Sequence, residues 1–323
     1  SLFAKALQLG LIGGLSLLAT TAWSAYPDKP IKLVVGFPPG GGGDLYGRLI
    51  ASAMSKTMGQ TVVVENRPGA GGNIAAEIVA KAKPDGYTLL ISYSGYHVGN
   101  PSLMDKLPWD PIKDFSPIGL LTVSTNVIAV HPSVPVNNLK ELIAYAKANP
   151  GKLNYASQGN GSVSHIGTEI FKQNTGVDIV HVPYKGSGPA IQDVLAGQVQ
   201  VFITTPPSVM QHVQSGKLKG LAVTGKSRHP GMPNVPTTAE AGLPTFQLES
   251  WVALYAPAGT PAPVITKLTE SVKKSLALPE VKERSDAAGV ELRYLTPSQM
   301  DALLKKELPY WDKAIKSANI KLD

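Results

Sequence analysis

The 323-residue chain has no cysteine. That absence excludes disulfides, thiolate metal sites, a cysteine nucleophile and a lipidated cysteine anchor. Charged residues are also scarce, at 16% against about 25% in typical soluble domains, which predicts a quiet surface. A net charge of +7 brings nucleic acid to mind as a partner, but the lysines and arginines are scattered. No basic run exceeds a pair and no basic motif is interleaved with aromatics, so no nucleic-acid partner is expected. After the first 30 residues no apolar stretch approaches the roughly 20 residues that a spanning helix needs.

Glycine and proline are plentiful, with 32 and 27 residues, and 43% of the chain is apolar, which predicts an ordinary core with many sharp turns. The first residues carry a lysine, an apolar run from Leu7 to Leu18 and then small residues. This is the pattern of a secretory signal peptide over residues 1–25, cut after Ser24 or Ala25. Export without disulfides fits a bacterial periplasmic protein.

Beyond the leader, short β-rich runs alternate with amphipathic helical runs, the grammar of an α/β fold with mainly parallel sheets. IKLVVGF, TVVVEN and YTLLISYS read as strands, and DLYGRLIASAMSKTMG between the first two reads as a helix stopped by Gly59. LPWDPIKDFSPIG reads as a loop. A second set of units follows residue 126, and after a late strand in FQLESWVALYAPAGTPAP the rest of the chain reads as mostly helical. We therefore expect two α/β lobes, residues 26–126 with 249–323 and residues 127–248, with two crossings of the chain between them.

The run GFPPGGGGD, Gly36–Asp44, fits no nucleotide-binding fingerprint, because no lysine and hydroxyl follow the glycines and no G-x-G-x-x-G can be drawn through them. Its backbone N–H groups suit an anion at the start of the next helix, with Asp44 as the helix N-cap. The same grammar recurs. NYASQGNGSVSHIG, VPYKGSGPAIQD (with Pro189 at the first helical position), VFITTPPSV and ISYSGYHVGNPS each place glycines or hydroxyls at the end of a strand. Ligands of open α/β sheets lie outside the carboxyl ends of the strands, so these five ends describe a cleft between two lobes. Reactive groups are missing from it. There is no G-x-S-x-G elbow, no HExxH, no i, i+4 histidine pair and no paired carboxylates, which predicts no catalytic residues, no metal, no cofactor and a binding protein rather than an enzyme.

From Tyr26 to the C-terminus the chain resembles the periplasmic substrate-binding proteins of tripartite tricarboxylate transporters, the Bug-type receptors. YPDKPIKLVVGFPPGGGGD, VVVENRPGAGGNIAAEIVAKAKPDGYTLL, NPSLMDKLPWDPIKDFSPI, YASQGNGSVSHIGTEIF and VPYKGSGPAIQDVLAGQVQ carry the resemblance in order. It implies an α/β, two-lobed type II periplasmic-binding-protein fold with two crossover strands and a ligand cleft between the lobes. It also implies hinge closure on a small organic carboxylate, monomeric receptors and delivery to membrane permease subunits; a periplasmic sensor working with a signalling partner is the alternative. By position, the first lobe would bind ligand through Pro39, Gly40, Gly41, Gly42, Asp44, Ser94 and His97. The second would use Ser157, Gly159, Gly161, Ser162, His165, Tyr184, Gly188, Thr204 and Thr205. Thr204 and Thr205 stand where many relatives carry an aspartate, which argues against an amino-acid ligand.

Overall fold

A computed structural model describes residues 25–40 and 42–322. The expected leader through Ser24, and Gly41 of the glycine run, lie outside the described residues. The first sheet contains β1 (Ile31–Val35), β2 (Val62–Asn66), β3 (Thr88–Tyr93), β4 (Phe115–Thr125), β10 (Glu249–Pro257) and β11 (Glu291–Leu295), in the order β11-β4-β10-β3-β1-β2. The second contains β5 (Val127–Val130), β6 (Asn154–Ser157), β7 (Val180–Pro183), β8 (Val201–Thr204) and β9 (Lys219–Val223), in the order β7-β6-β8-β5-β9.

Both sheets are mixed, which corrects the expectation of mainly parallel sheets. β1 pairs in parallel with β2 and β3, and β6 with β7 and β8, while β4, β5, β9, β10 and β11 run antiparallel to their neighbours. Two further corrections concern strands. β4 begins inside the run read as a loop, and β11 lies within the segment read as helical.

The helices are α1 (Gly42–Met58), α2 (Asn73–Ala80), α3 (Asn100–Leu103), α4 (Leu139–Ala148), α5 (Val163–Thr175), α6 (Ser187–Leu195), α7 (Pro206–Gln214), α8 (Ala262–Leu276), α9 (Pro279–Ala288) and α10 (Pro297–Ser317). A π-helical turn, Gly95–Gly99, leads into α3. Alternation along β1 sends Ile31, Leu33 and Val35 into a core shared with Ile50 and Met54 of α1 and Leu268 of α8. Val34 faces the opposite core with Ala75, Ala76 and Val79 of α2. α1 stops where Gly59 takes a φ of 67° that other residues disfavour.

The chain leaves the first sheet at Thr125, enters the second at Val127 and returns at Glu249. Asn126 stitches both passages together. Its backbone N–H donates to Thr224 Oγ1 at 2.8 Å and its Nδ2 donates to the Leu248 carbonyl at 3.2 Å, so both chain passages are tied at one buried point. Among the described residues, no helix is long and apolar enough to cross a membrane.

Candidate functional site

The carboxyl ends of the parallel strands converge on these passages. Tyr93 at the end of β3 pairs with Val252 of β10, and Thr204 at the end of β8 pairs with Val127 of β5. Across the gap the lobes touch. A Cβ on Gly95 would lie 3.1 Å from Val163 Cγ2, and one on Gly161 would lie 3.0 Å from Leu103 Cδ1. The loops after β3 and β6 therefore face one another, and α1, α5, α6 and α7 each start just after the carboxyl end of a strand, β1, β6, β7 and β8. Each such helix end leaves its first N–H groups without intrahelical acceptors and carries a partial positive charge.

In the first lobe the glycine loop is shaped by Asp44, which is 1% exposed. Its carboxylate accepts from the Gly40 N–H at 2.9 Å, Arg48 Nε at 2.9 Å and Asn66 Nδ2 at 2.8 Å. Asn66 Nδ2 also donates to the Phe37 carbonyl at 2.9 Å. Burial pushes the Asp44 carboxyl up, but the bonds from Gly40, Arg48 and Asn66 outweigh it and leave the group below the usual carboxylate range. Asp44 is thus not the N-cap expected from the sequence. α1 already begins at Gly42, and Asp44 reaches back from the first turn to Gly40. The Gly40 N–H is spent on this bond, and Pro39 has no N–H to offer. Gly42 opens α1.

The second lobe builds its loop from neutral groups. Ser162 is the N-cap of α5, accepting from the His165 N–H at 3.3 Å and donating to the Gly159 carbonyl at 2.7 Å. Gly159 and Gly161 have φ values of 130° and 76°, and the Gly161 N–H donates to His165 Nδ1 at 3.0 Å. A neutral His165 therefore carries its proton on Nε2. Ser157 is buried and bonds His181 Nε2 at 2.6 Å. The His165 and His181 rings stack at 3.9 Å, with Tyr155 on the far face of His181 at 4.9 Å. Burial, and then the adjacent His165 ring, pull His181 down to about 4; burial also lowers His165.

The remaining expected residues divide into two groups. Ser94 is buried and accepts from the Trp251 N–H of the returning strand at 3.2 Å, so it fastens the end of β3 to β10. His97 is a correction. It is fully buried, its Nδ1 bonds Ser92 Oγ at 3.1 Å, its Nε2 bonds the Pro111 carbonyl at 2.9 Å, and its ring stacks on Tyr255 at 4.2 Å. No polar atom of His97 is left for a ligand. Tyr184 donates to Asp193 Oδ2 at 2.7 Å, and burial, followed by that carboxylate, raises its hydroxyl to about 12. Thr204 is buried, with Oγ1 3.5 Å from Gln158 Nε2. Thr205 caps α7 without a side-chain bond, leaving its hydroxyl unspent on the cap, and Gly188 in the first turn of α6 has open space around it. Pro189 is the third residue of α6, not the first.

A further strand end escaped the site reading. After β2, Gly69, Ala70, Gly71 and Gly72 have φ values of 122°, 48°, 58° and 83°. The Gly71 carbonyl accepts from Asn100 Nδ2 at 2.8 Å, which ties this loop to α3. The signal was present in RPGAGGN, a glycine run between a strand and a helix.

Comparison with known proteins places this geometry in a family. The Tripartite tricarboxylate transporter family receptor family matches residues 47–320. Protein BugT of Bordetella pertussis (strain Tohama I) is 37% identical over 305 residues, covering 94% of each chain. A Rhodopseudomonas palustris protein solved with adipate aligns with a TM-score of 0.83 and 37% identity, over 92% of this chain and 99% of that one. MatC of the same organism, solved with bound malate, aligns with a TM-score of 0.80 and 35% identity, over 90% of this chain and all of that one. Solved periplasmic binding proteins share the architecture, so the fold is the two-lobed type II periplasmic-binding-protein fold, built here on two mixed sheets. The chain belongs to the tripartite tricarboxylate transporter family of receptors.

Proposed function

We propose that this protein is a periplasmic solute receptor, residues 26–126 and 249–323 forming one lobe and 127–248 the other. It captures a small organic carboxylate by closing the lobes and delivers it to the membrane permease of a tripartite tricarboxylate transporter. The observation that carries this reading is the facing of loops from opposite lobes, Gly95 against Val163 and Leu103 against Gly161, at the amino end of α5. The amino ends of α5 and, after β1, of α1 offer N–H groups to an anion without a dedicated cation, and a ligand bridging the lobes stabilises the closed form over the open one. The malate and adipate held by similar proteins fit this chemistry. The site offers dipoles, and its serine–histidine pair, Ser157 with His181, is spent on holding the loop after β6, so binding without turnover is the expected behaviour. The ligand contacts come from the N–H groups at the start of α1 and of α5, from Gly188 and from the Thr205 hydroxyl. Asp44, Ser94, Ser157, Ser162 and His165 hold the loops in shape.

Thermal unfolding of the purified protein with malate, adipate, citrate, aromatic acids and amino acids tests the reading. A ligand at 100 times its Kd adds about 2.7 kcal/mol of stability. A rise with carboxylates and none with matched amides or alcohols is expected. A rise with aspartate or glutamate above that of non-amino dicarboxylates would overturn the argument drawn from Thr204 and Thr205. No rise with any carboxylate would overturn the function.

A further inference from the structure

Past the end of α10 the chain turns at Asn319, whose φ of 52° is a left-handed conformation that asparagine tolerates at helix ends. Ile320 then drops back into the core, its N–H donating to the Ile315 carbonyl at 3.1 Å. The Leu322 N–H donates to the Leu103 carbonyl at 3.1 Å, so this segment is pinned to both α10 and α3. α10 itself is fastened to the first lobe. Ser102 Oγ of α3 donates to Asp312 Oδ1 at 2.7 Å, and Trp251 Nε1 of β10 donates to Glu307 Oε2 at 2.7 Å.

The Leu322 side chain nevertheless meets the second lobe. A Cβ on Gly161 would lie 3.0 Å and 3.1 Å from its two δ carbons, as close as it would lie to Leu103 Cδ1. Two leucines of the first lobe therefore close over one glycine of the second. That glycine belongs to the loop that opens α5, where its N–H is held by His165 Nδ1. Apolar contact continues past this point, since a Cβ on Gly99 would lie 3.7 Å from Ile166 Cδ1 of α5.

Building on the receptor reading above, we infer that residues 319–322 form a strap that latches the closed lobes, with Leu322 as a positioning residue for ligand retention. Leu322 covers Gly161 only while the lobes are together, so this burial stabilises the closed form alone. The strap needs no contact with the ligand. A bound ligand leaves only after the lobes part, so a weakened strap speeds release and leaves capture by the open form unchanged.

Stopped-flow fluorescence of the purified protein with malate, adipate and citrate tests this. Leu322→Ala is expected to release ligand about fivefold faster, the scale of part of one leucine side chain returned to water, with association unchanged. Leu322→Met keeps the side-chain volume and should release at the wild-type rate. An unchanged release rate in Leu322→Ala, an affinity loss carried wholly by slower association, or Leu322→Met releasing as fast as Leu322→Ala would overturn the inference. A merely structural role would lower the urea midpoint and leave release as it was. Should Leu322→Ala fail to fold, Leu322→Val, shorter by one carbon, decides by the same rates. Silence toward all three carboxylates, from folded wild-type protein, would instead overturn the receptor reading. The strap then rests on small-angle X-ray scattering, where a larger radius of gyration for Leu322→Ala than for the wild type supports it and an equal one overturns it.

Discussion

The glycine loop after β1 is held by a buried charge, and the one after β6 by hydroxyls and neutral imidazoles. In the first, one Asp44 carboxylate gathers the Gly40 N–H, Arg48 and Asn66. In the second, Ser157, Ser162, His165 and His181 divide the work among themselves. The two supports respond to pH in different windows. Asp44, held below the usual carboxylate range, contributes stability that is intact above its unfolded pKa of about 3.9 and is lost only as pH falls below that. His181, pulled down to about 4, is neutral when folded, so the unfolded chain takes up a proton first and the second lobe weakens as pH falls from about 6.5. In mild acid the neutral support after β6 therefore weakens while the Asp44 support after β1 stays intact.

The sharpest way to break that comparison is Asp44→Ala. It strands Arg48 and frees Gly40 and Asn66, with an expected cost of about 3 kcal/mol in urea unfolding. Ligand affinity should fall more than about tenfold by calorimetry. An unchanged protein would mean that the glycine turns alone hold the loop.

The pH contrast is complicated by His97, which burial pulls down to about 4 in the core of the first lobe, against the effect of the Pro111 carbonyl. Between about pH 6.5 and 4 the folded state binds fewer protons than the unfolded one, so His97 removes up to about 3 kcal/mol as pH falls across that window. His97→Phe should flatten this slope in Tm measured from pH 7.5 to 4. A slope that persists undiminished assigns it to the His165–His181 stack of the second lobe.

Ser157→Ala removes the bonds to His181 Nε2 and to the Gly159 N–H, at an expected cost of about 1–2 kcal/mol. That cost should be less than for Asp44→Ala, because no charge is left unpaired. A larger loss would make the neutral support the stronger one. The smallest effect belongs to Gly188→Ala. An added Cβ there meets nothing within 4 Å, so stability should change by less than about 0.5 kcal/mol. Any loss of binding by this variant then reports the ligand's approach to α6, and unchanged binding would place the ligand away from it.

The strand–glycine–helix grammar was legible because it is local. β1, β2, β3, β6, β7 and β8 all sit in runs readable as strands, and the loops that follow them open helices. β11 was not legible, since ELRYL lies among helices with only partly buried residues and becomes a strand by pairing with β4. His97 reads as a site residue because it lies beside hydroxyls at a strand end. The π-helical turn instead carries its ring inward onto Tyr255, a residue 158 positions further along the chain. Asn66 gave no signal at all, because its part depends on Phe37 and Asp44 being brought to the end of β2.

Composition, periodicity and the recurrent glycines determined an α/β protein with glycines and hydroxyls at its strand ends, because helix starts, turns and strand alternation depend on neighbours a few residues apart. Only the tertiary structure decided which polar groups those ends spend on their own support. A hydrogen bond from Asn66 to Asp44, or a histidine stacked on a distant tyrosine, exists only once remote segments share one core. For the same reason Leu322, an unremarked residue in the sequence, rests on Gly161 of the other lobe.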